Sequence, residues 1–154
     1  MNVQDVMVPD VATCRPDDNL EVIARTMREQ DIGAVPVVDE TGHPVGMVTD
    51  RDIAIESAGL GKGPVALHAG DIGIKKVTTI RAEEEISEAL ARMRAAAVRR
   101  LPVVDKDGAI QGMVSLGDVI DKARDENGEW TVSPSDLESM LAAVIIAATG
   151  AVSF

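Results

Sequence analysis

The sequence predicts an α+β protein made of two similar units. One observation is an internal repeat without gaps, since Pro36 matches Pro102 and Gly46 matches Gly112, each pair 66 positions apart. The other is that both copies show the same order of patterns, about β-α-β-β-α. Neither unit can cover both faces of its small sheet alone, so we expect the two sheets to pack together around a pseudo-twofold axis.

Each copy is predicted to contain a short strand, a helix, a β-hairpin and a closing helix. The first helix follows acidic residues, which favour a helix N-terminus, and each hairpin turns at a glycine, Gly42 or Gly108. Short helical segments are expected ahead of the two copies, at 3–7 and 67–73. The predicted strands span 11–14, 34–39 and 45–49 in the first copy, and 77–80, 100–105 and 109–115 in the second.

Glycines and a proline between residues 59 and 64 predict a linker between the copies. The predicted domains are therefore 1–58 and 67–126, joined by the linker 59–66 and followed by a C-terminal extension at 127–154.

The extension is expected to be helical, because Ser133 and Pro134 form a good helix start before the apolar positions from 137 to 148. No charged side chain occurs from Ser139 to Phe154. A membrane span needs about 20 predominantly apolar residues, so we expect this helix to pack on the module or across a dimer, with no membrane as partner.

Composition disfavours several functions. The formal net charge of -11 disfavours contact with many nucleic-acid phosphates, so no nucleic-acid partner is expected. Cys14 is the only cysteine and His43 and His68 are the only histidines, which disfavours a zinc site or a catalytic triad. The start of the chain has no signal-peptide pattern. We therefore expect a cytoplasmic protein that is not an enzyme, with no catalytic residues and no metal.

A glycine-hydrophobic-x-Ser/Thr-x-x-Asp pattern occurs twice in register, at 46–52 and 112–118, and each copy follows a Pro-Val-Val-Asp strand. We call these two segments the signatures. With the Asp-Val-Met opening at Asp5 to Met7, they resemble the CBS-domain family in its paired form, the Bateman module. The resemblance covers residues 1 to about 125. It implies a regulatory module that binds an adenosyl ligand such as AMP, ADP, ATP or S-adenosylmethionine and requires no cofactor.

The resemblance also implies roles for residues of the signatures. The glycine would let the ligand approach the strand, and the hydroxyl of Thr49 or Ser115 would donate to a phosphate near a helix N-terminus. Asp52 and Asp118 would accept the hydrogens of the ribose hydroxyls. The same residues also fit a helix capping box, which needs no ligand.

Residues around the signatures make the two halves unequal. Arg99 and Arg100 stand where the family often has a phosphate contact, whereas the first half has small residues there and carries Arg51 within its signature. Each arginine could equally be a solvated surface residue. Thr13 and Thr79 are further candidates for adenine or ribose contact, or only turn formers. We expect the second half to hold the stronger site.

Signalling is expected to pass from the ligand, through a change in the relative angle of the units or in the dimer surface, to an unknown effector protein. A homodimer is expected, as is common in the family. The alternatives are a protein-interaction or stress-response module with vestigial sites, then a nucleic-acid regulator, then an enzyme.

Cys14 is expected to be a small buried hydrophobic residue, with a redox or intersubunit disulfide role as the alternative.

Overall fold

The computed structural model describes residues 1–125 and 127–149, which fold into two compact units that are not contiguous halves of the chain. The first-repeat unit contains Asp10–Val77 and Asp107–Ile110. The second-repeat unit contains Met1–Pro9, Thr78–Lys106 and the described residues from Gln111 onward. We call residues 1–9, ahead of the first copy, and residues 67–77, ahead of the second copy, the leading segments. Each leading segment therefore belongs to the unit of the other copy.

The predicted hairpins and closing helices are confirmed, with bounds that differ by a few residues. The strands are β1 (Val8–Pro9), β2 (Ala34–Val38), β3 (Pro44–Thr49), β4 (Ile80–Arg81), β5 (Arg100–Val104) and β6 (Ile110–Ser115). The α-helices are α1 (Leu20–Gln30), α2 (Asp50–Leu60), α3 (Ala69–Ile72), α4 (Ile86–Ala96), α5 (Leu116–Lys122) and α6 (Pro134–Thr149). Short 3-10 helices lie at Val3–Asp5 and Pro64–Ala66.

The first-repeat unit is organised around the antiparallel pair of β2 and β3. The strand predicted at 11–14 is reduced to a single parallel bridge, between Cys14 and Val37. Leu67 and Ala69 of a leading segment are buried in the same core, so this segment completes the unit. The buried core consists of Cys14, Leu20, Ile23, Met27, Val35, Val37, Val48, Ile53, Leu67 and Ala69.

The second-repeat unit has a four-stranded sheet in the order β1-β6-β5-β4. The strand predicted at 77–80 is reduced to the two-residue β4, which overlaps it only at Ile80 and pairs in parallel with β5. Val3 and Val6, from the other leading segment, are buried with Leu90 and Leu101 in its core. Each leading segment thus supplies both backbone pairing and buried apolar side chains.

Helix α6 packs against α4 and α5, which confirms that the C-terminal helix packs on the module. Its start is capped as predicted, since the Asp136 amide donates to Ser133 Oγ at 3.2 Å. Residues 150–154 of the uncharged stretch lie outside the described residues. Among the residues that the structure describes, no helix has the length and apolarity needed to span a membrane.

The glycine of each signature lies against protein backbone. A Cβ atom on Gly46 would be 2.0 Å from the Gly73 carbonyl oxygen, and one on Gly112 would be 2.4 Å from the Val8 carbonyl oxygen. The Met47 amide donates to that Gly73 oxygen at 2.9 Å. The expectation that these glycines make room for a ligand is therefore wrong, because a leading segment occupies the space.

Replacing Gly46 with alanine should destabilise the protein by about 1–3 kcal/mol, because the new methyl group has only backbone to displace. The matched control is Gly59→Ala in α2, where a Cβ would meet nothing within 4 Å. That change should stabilise the protein by about 0.5–1 kcal/mol. Urea denaturation measures both, and equal effects of the two substitutions would contradict this account of the signature glycine.

Cys14 is buried, in line with its interpretation as a small hydrophobic residue. Burial, together with the nearby Asp18 carboxylate, raises the pKa of the thiol to about 12. Because only the thiolate is a good nucleophile, a thiol with a raised pKa is unreactive near neutral pH.

We expect iodoacetamide at pH 8 to alkylate Cys14 at least about a hundredfold more slowly in the native protein than in urea, where the pKa returns to its ordinary value. Mass spectrometry follows the reaction, and the chain has no second cysteine to confuse it. Native labelling at the rate seen in urea would instead support a redox role.

Candidate functional site

Each signature crosses from a strand into a helix, and its hydroxyl residue caps that helix. Thr49 ends β3, and its Oγ1 accepts a hydrogen bond from the Asp52 amide at 3.0 Å, while Asp52 Oδ2 accepts one from the Thr49 amide at 3.0 Å. In the second copy the Asp118 amide donates to Ser115 Oγ at 3.2 Å, and the Ser115 amide donates to Asp118 Oδ2 at 2.8 Å. The predicted capping box is therefore present in both units.

The capping boxes use only part of each carboxylate. In the second-repeat unit the Ser115 hydroxyl also donates to Asp118 Oδ2, at 2.6 Å, so this one oxygen accepts both hydrogen bonds that Ser115 donates to the carboxylate, and Oδ1 takes no part in the box. A carboxylate offers about four acceptor positions. Capping and acceptance of ribose hydroxyls are thus chemically compatible at Asp118 and Asp52.

Backbone hydrogen bonds bring Arg99 next to the second signature. Its carbonyl oxygen accepts from the amide of Leu116, the first residue of α5, at 2.8 Å. In the first-repeat unit the Gly33 carbonyl accepts in the same way from the Asp50 amide, at 3.1 Å. Arg99 is exposed, and Arg100 is half-buried as the first residue of β5. The position at which the two halves differ, Arg99 in one and Gly33 in the other, therefore has its backbone hydrogen-bonded to the signature in both units.

The remaining candidates occupy different positions. Arg51 is exposed in the first turn of α2, where its amide donates to Asp50 Oδ1 at 2.8 Å. Thr13 is exposed next to Cys14, on the side of β2 that faces away from β3. The Thr79 carbonyl accepts from Arg92 Nη1 at 2.8 Å. In the part of the chain that the structure describes, no hydrogen bond joins Thr13 or Thr79 to a signature.

Sequence reasoning missed Lys75, whose Nζ lies 3.5 Å from Asp52 Oδ2. The repeat gives no signal for it, because Pro9 stands at the matching position. Detecting it would have required knowing that the leading segment ahead of the second copy packs in the first-repeat unit. In residues 1–125 and 127–149, no group of three or more His, Cys, Asp or Glu side chains is arranged to hold a metal ion.

Known proteins resemble this chain both in amino-acid sequence and in fold. An uncharacterized protein of Methanopyrus kandleri is 37% identical over 120 residues, covering 78% of this chain and 61% of the relative. This chain therefore spans less than two thirds of that protein. Hypoxic response protein 1 of Mycobacterium tuberculosis is 33% identical over 116 residues, covering 75% of this chain and 80% of the relative.

Two solved structures share the fold. The structure of Hypoxic Response Protein I, with two coordinated zinc ions, matches with a TM-score of 0.70 and 33% identity, covering 77% of this chain and 96% of the other. The CBS domain pair of protein MJ0100, in complex with 5′-methylthioadenosine and S-adenosylmethionine, matches with a TM-score of 0.69 and 24% identity, covering 77% and 96%.

The family model for the CBS domain matches this chain twice, at residues 3–59 and 69–125. Each match contains one signature with its capping box, and together the two matches cover most of the chain. The α+β fold with two tandem copies, the signatures and the relatives agree, and the chain belongs to the CBS-domain family.

Proposed function

We propose that the chain is a regulatory module that binds an adenosyl ligand, either AMP, ADP, ATP or S-adenosylmethionine. One observation carries this proposal. Both units place a hydroxyl and a carboxylate in the same geometry at a junction of strand and helix, and in the second-repeat unit the box leaves Asp118 Oδ1 out of the capping hydrogen bonds.

In this proposal the carboxylates of Asp52 and Asp118 accept hydrogen bonds from the two ribose hydroxyls. The hydroxyls of Thr49 and Ser115 turn to a phosphate when a ligand is present. At Ser115 this requires the hydroxyl hydrogen to leave Asp118 Oδ2, to which it donates in the structure.

Three arginines and two threonines complete the proposed contacts. Arg99 and Arg100 add positive charge beside the second signature, which favours an anionic ligand there and makes this the stronger site. Arg51 adds charge beside the first signature. Thr13 and Thr79 remain candidates for contact with the base or the sugar.

The related structures support the ligand class. The MJ0100 domain pair, which shares this fold, binds two compounds that contain adenosine linked through its 5′ carbon to sulfur. Such compounds share the ribose diol that the carboxylate of the signature would recognise. The identity of the 5′ group, and hence the choice among the four ligands, depends on the residues around the signature.

A protein-interaction module with vestigial sites is the second candidate. It is favoured by the capping boxes themselves, since stabilising α2 and α5 is a sufficient reason for the hydroxyl and the carboxylate to be present. The two candidates differ in one respect. The charge of the signature carboxylate affects ligand affinity if the signature is a binding site, and it has no such effect if the carboxylate is only a helix cap.

The rest of the proposal concerns how ligand binding is signalled to another protein. We propose that binding changes the conformation of a cytoplasmic homodimer, which signals to an effector protein and catalyses no reaction itself. The lack of catalysis is supported by the presence of only one cysteine and two histidines in the sequence, which disfavours a catalytic triad. Exposed Val22, Ile55 and Leu60 on α1 and α2 offer apolar surface for a dimer.

We also retain as a proposal the domain bounds 1–58 and 67–126 with the linker 59–66.

Isothermal titration calorimetry with AMP, ATP and S-adenosylmethionine tests the function, and Asp118→Asn separates the two candidates. An asparagine keeps one oxygen to accept from Ser115, so the capping box survives, but it replaces the other carboxylate oxygen with a donor. We expect a small change in stability and about tenfold or greater weakening of ligand binding at this site, because hydrogen bonds to charged groups contribute about 1.5–3 kcal/mol.

Asp121→Asn, an exposed acid on the same helix, is the matched control and should leave affinity unchanged. Absence of heat for all three ligands at millimolar concentration would remove the adenosyl proposal. Binding that is equally strong in Asp118→Asn would show that the carboxylate serves only as a helix cap.

A further inference from the structure

An ammonium group lies beside the carboxylate proposed to bind ribose in the first-repeat unit. Lys75 Nζ is 3.5 Å from Asp52 Oδ2, the same oxygen that accepts from the Thr49 amide. The backbone of Lys75 is fixed to the edge of β3, since its amide donates to the Val45 carbonyl at 3.3 Å. Ile74, the residue before it, forms a bridge with Gly46. Lys75 is therefore held along the strand that carries the first signature.

The second-repeat unit gives an internal comparison. Pro9 stands at the position of the repeat that matches Lys75, and it pairs with Gly112 much as Ile74 pairs with Gly46. Neither Pro9 nor the next residue, Asp10, is basic. The lysine is thus a property of one site, and the two signatures would present different charges to a ligand.

The geometry allows Lys75 to bind a ligand without losing its position. Its side chain is 47% exposed and that of Asp52 is 29% exposed, and an ion pair at such exposure stabilises little. A lysine ammonium has three donors, so it can stay beside Asp52 and direct hydrogen bonds to an anionic ligand oxygen. The Thr49 hydroxyl, at the C-terminal end of β3, and the N-terminus of α2 lie next to Asp52 and favour negative charge there.

We propose that Lys75 is a specificity-determining residue that makes the first-repeat site select adenine nucleotides bearing a phosphate over adenosyl compounds without negative charge at the 5′ position. The inference rests on the proposed function and adds the ligand class of one site. A phosphate gains a charge-assisted hydrogen bond from the ammonium, whereas the sulfonium of S-adenosylmethionine is repelled by it and the thioether of 5′-methylthioadenosine gains nothing.

The test uses the full chain with Asp118→Asn, which weakens the other site, and compares AMP with 5′-methylthioadenosine by calorimetry. We expect Lys75→Met to weaken AMP binding about tenfold, because one hydrogen bond to a charged group is lost. Binding of 5′-methylthioadenosine should stay the same or tighten. Lys76→Met, at the exposed neighbouring position, is the matched control and should change neither affinity by more than about twofold. Lys75→Arg should retain the preference for AMP.

Equal weakening of both ligands by Lys75→Met would overturn the inference, as would an unchanged ratio of the two affinities. Loss of all binding in the Asp118→Asn background, with binding intact in the wild-type chain, would also overturn it but would leave the proposed function in the second-repeat unit. Absence of binding by the wild-type chain would remove the proposed function itself. Circular dichroism of each variant establishes that a loss of affinity is not a loss of fold.

Discussion

In each unit a leading segment lies against the glycine of the signature at a distance that no side chain would allow. The Gly73 carbonyl at Gly46, and the Val8 carbonyl at Gly112, occupy the places where Cβ atoms would stand. This close approach lets the segment pair with the strand and bury its apolar side chains, Leu67 and Ala69 in one unit and Val3 and Val6 in the other. The position of Lys75 beside Asp52 follows from the same contact.

The strand-to-helix junction carries both stability and the proposed chemistry. A hydroxyl and a carboxylate three residues apart must meet there for the helix to be capped, and the same meeting places two polar groups at the end of a strand. The residues that hold the fold and those that would hold a ribose are therefore the same. The arrangement explains why the pattern alone does not distinguish a cap from a binding site.

Local patterns in the sequence were sufficient for much of the fold. The hairpins, the helices behind acidic residues, the capping boxes and the Ser133 start of α6 depend on neighbours in the chain, and each is confirmed. The strand at 11–14 was overestimated, because its β-branched residues gain only one bridge, at Cys14. Lys75 and the role of Gly46 could not be predicted, since both depend on which copy a leading segment joins. The ligand preference depends on side-chain contacts of this tertiary kind.

The exchange of leading segments has a bearing on how such a chain can arise and be divided. A single copy, separated from the other at the linker, would lack the segment that covers its own signature strand and would expose main-chain groups such as the Met47 amide along that edge. An exposed strand edge pairs with any suitable extended chain. Two separate copies would therefore complete one another by swapping segments, as domain-swapped dimers do. Tandem duplication places that swap within one polypeptide, where the effective concentration of the two segments no longer depends on the amount of protein.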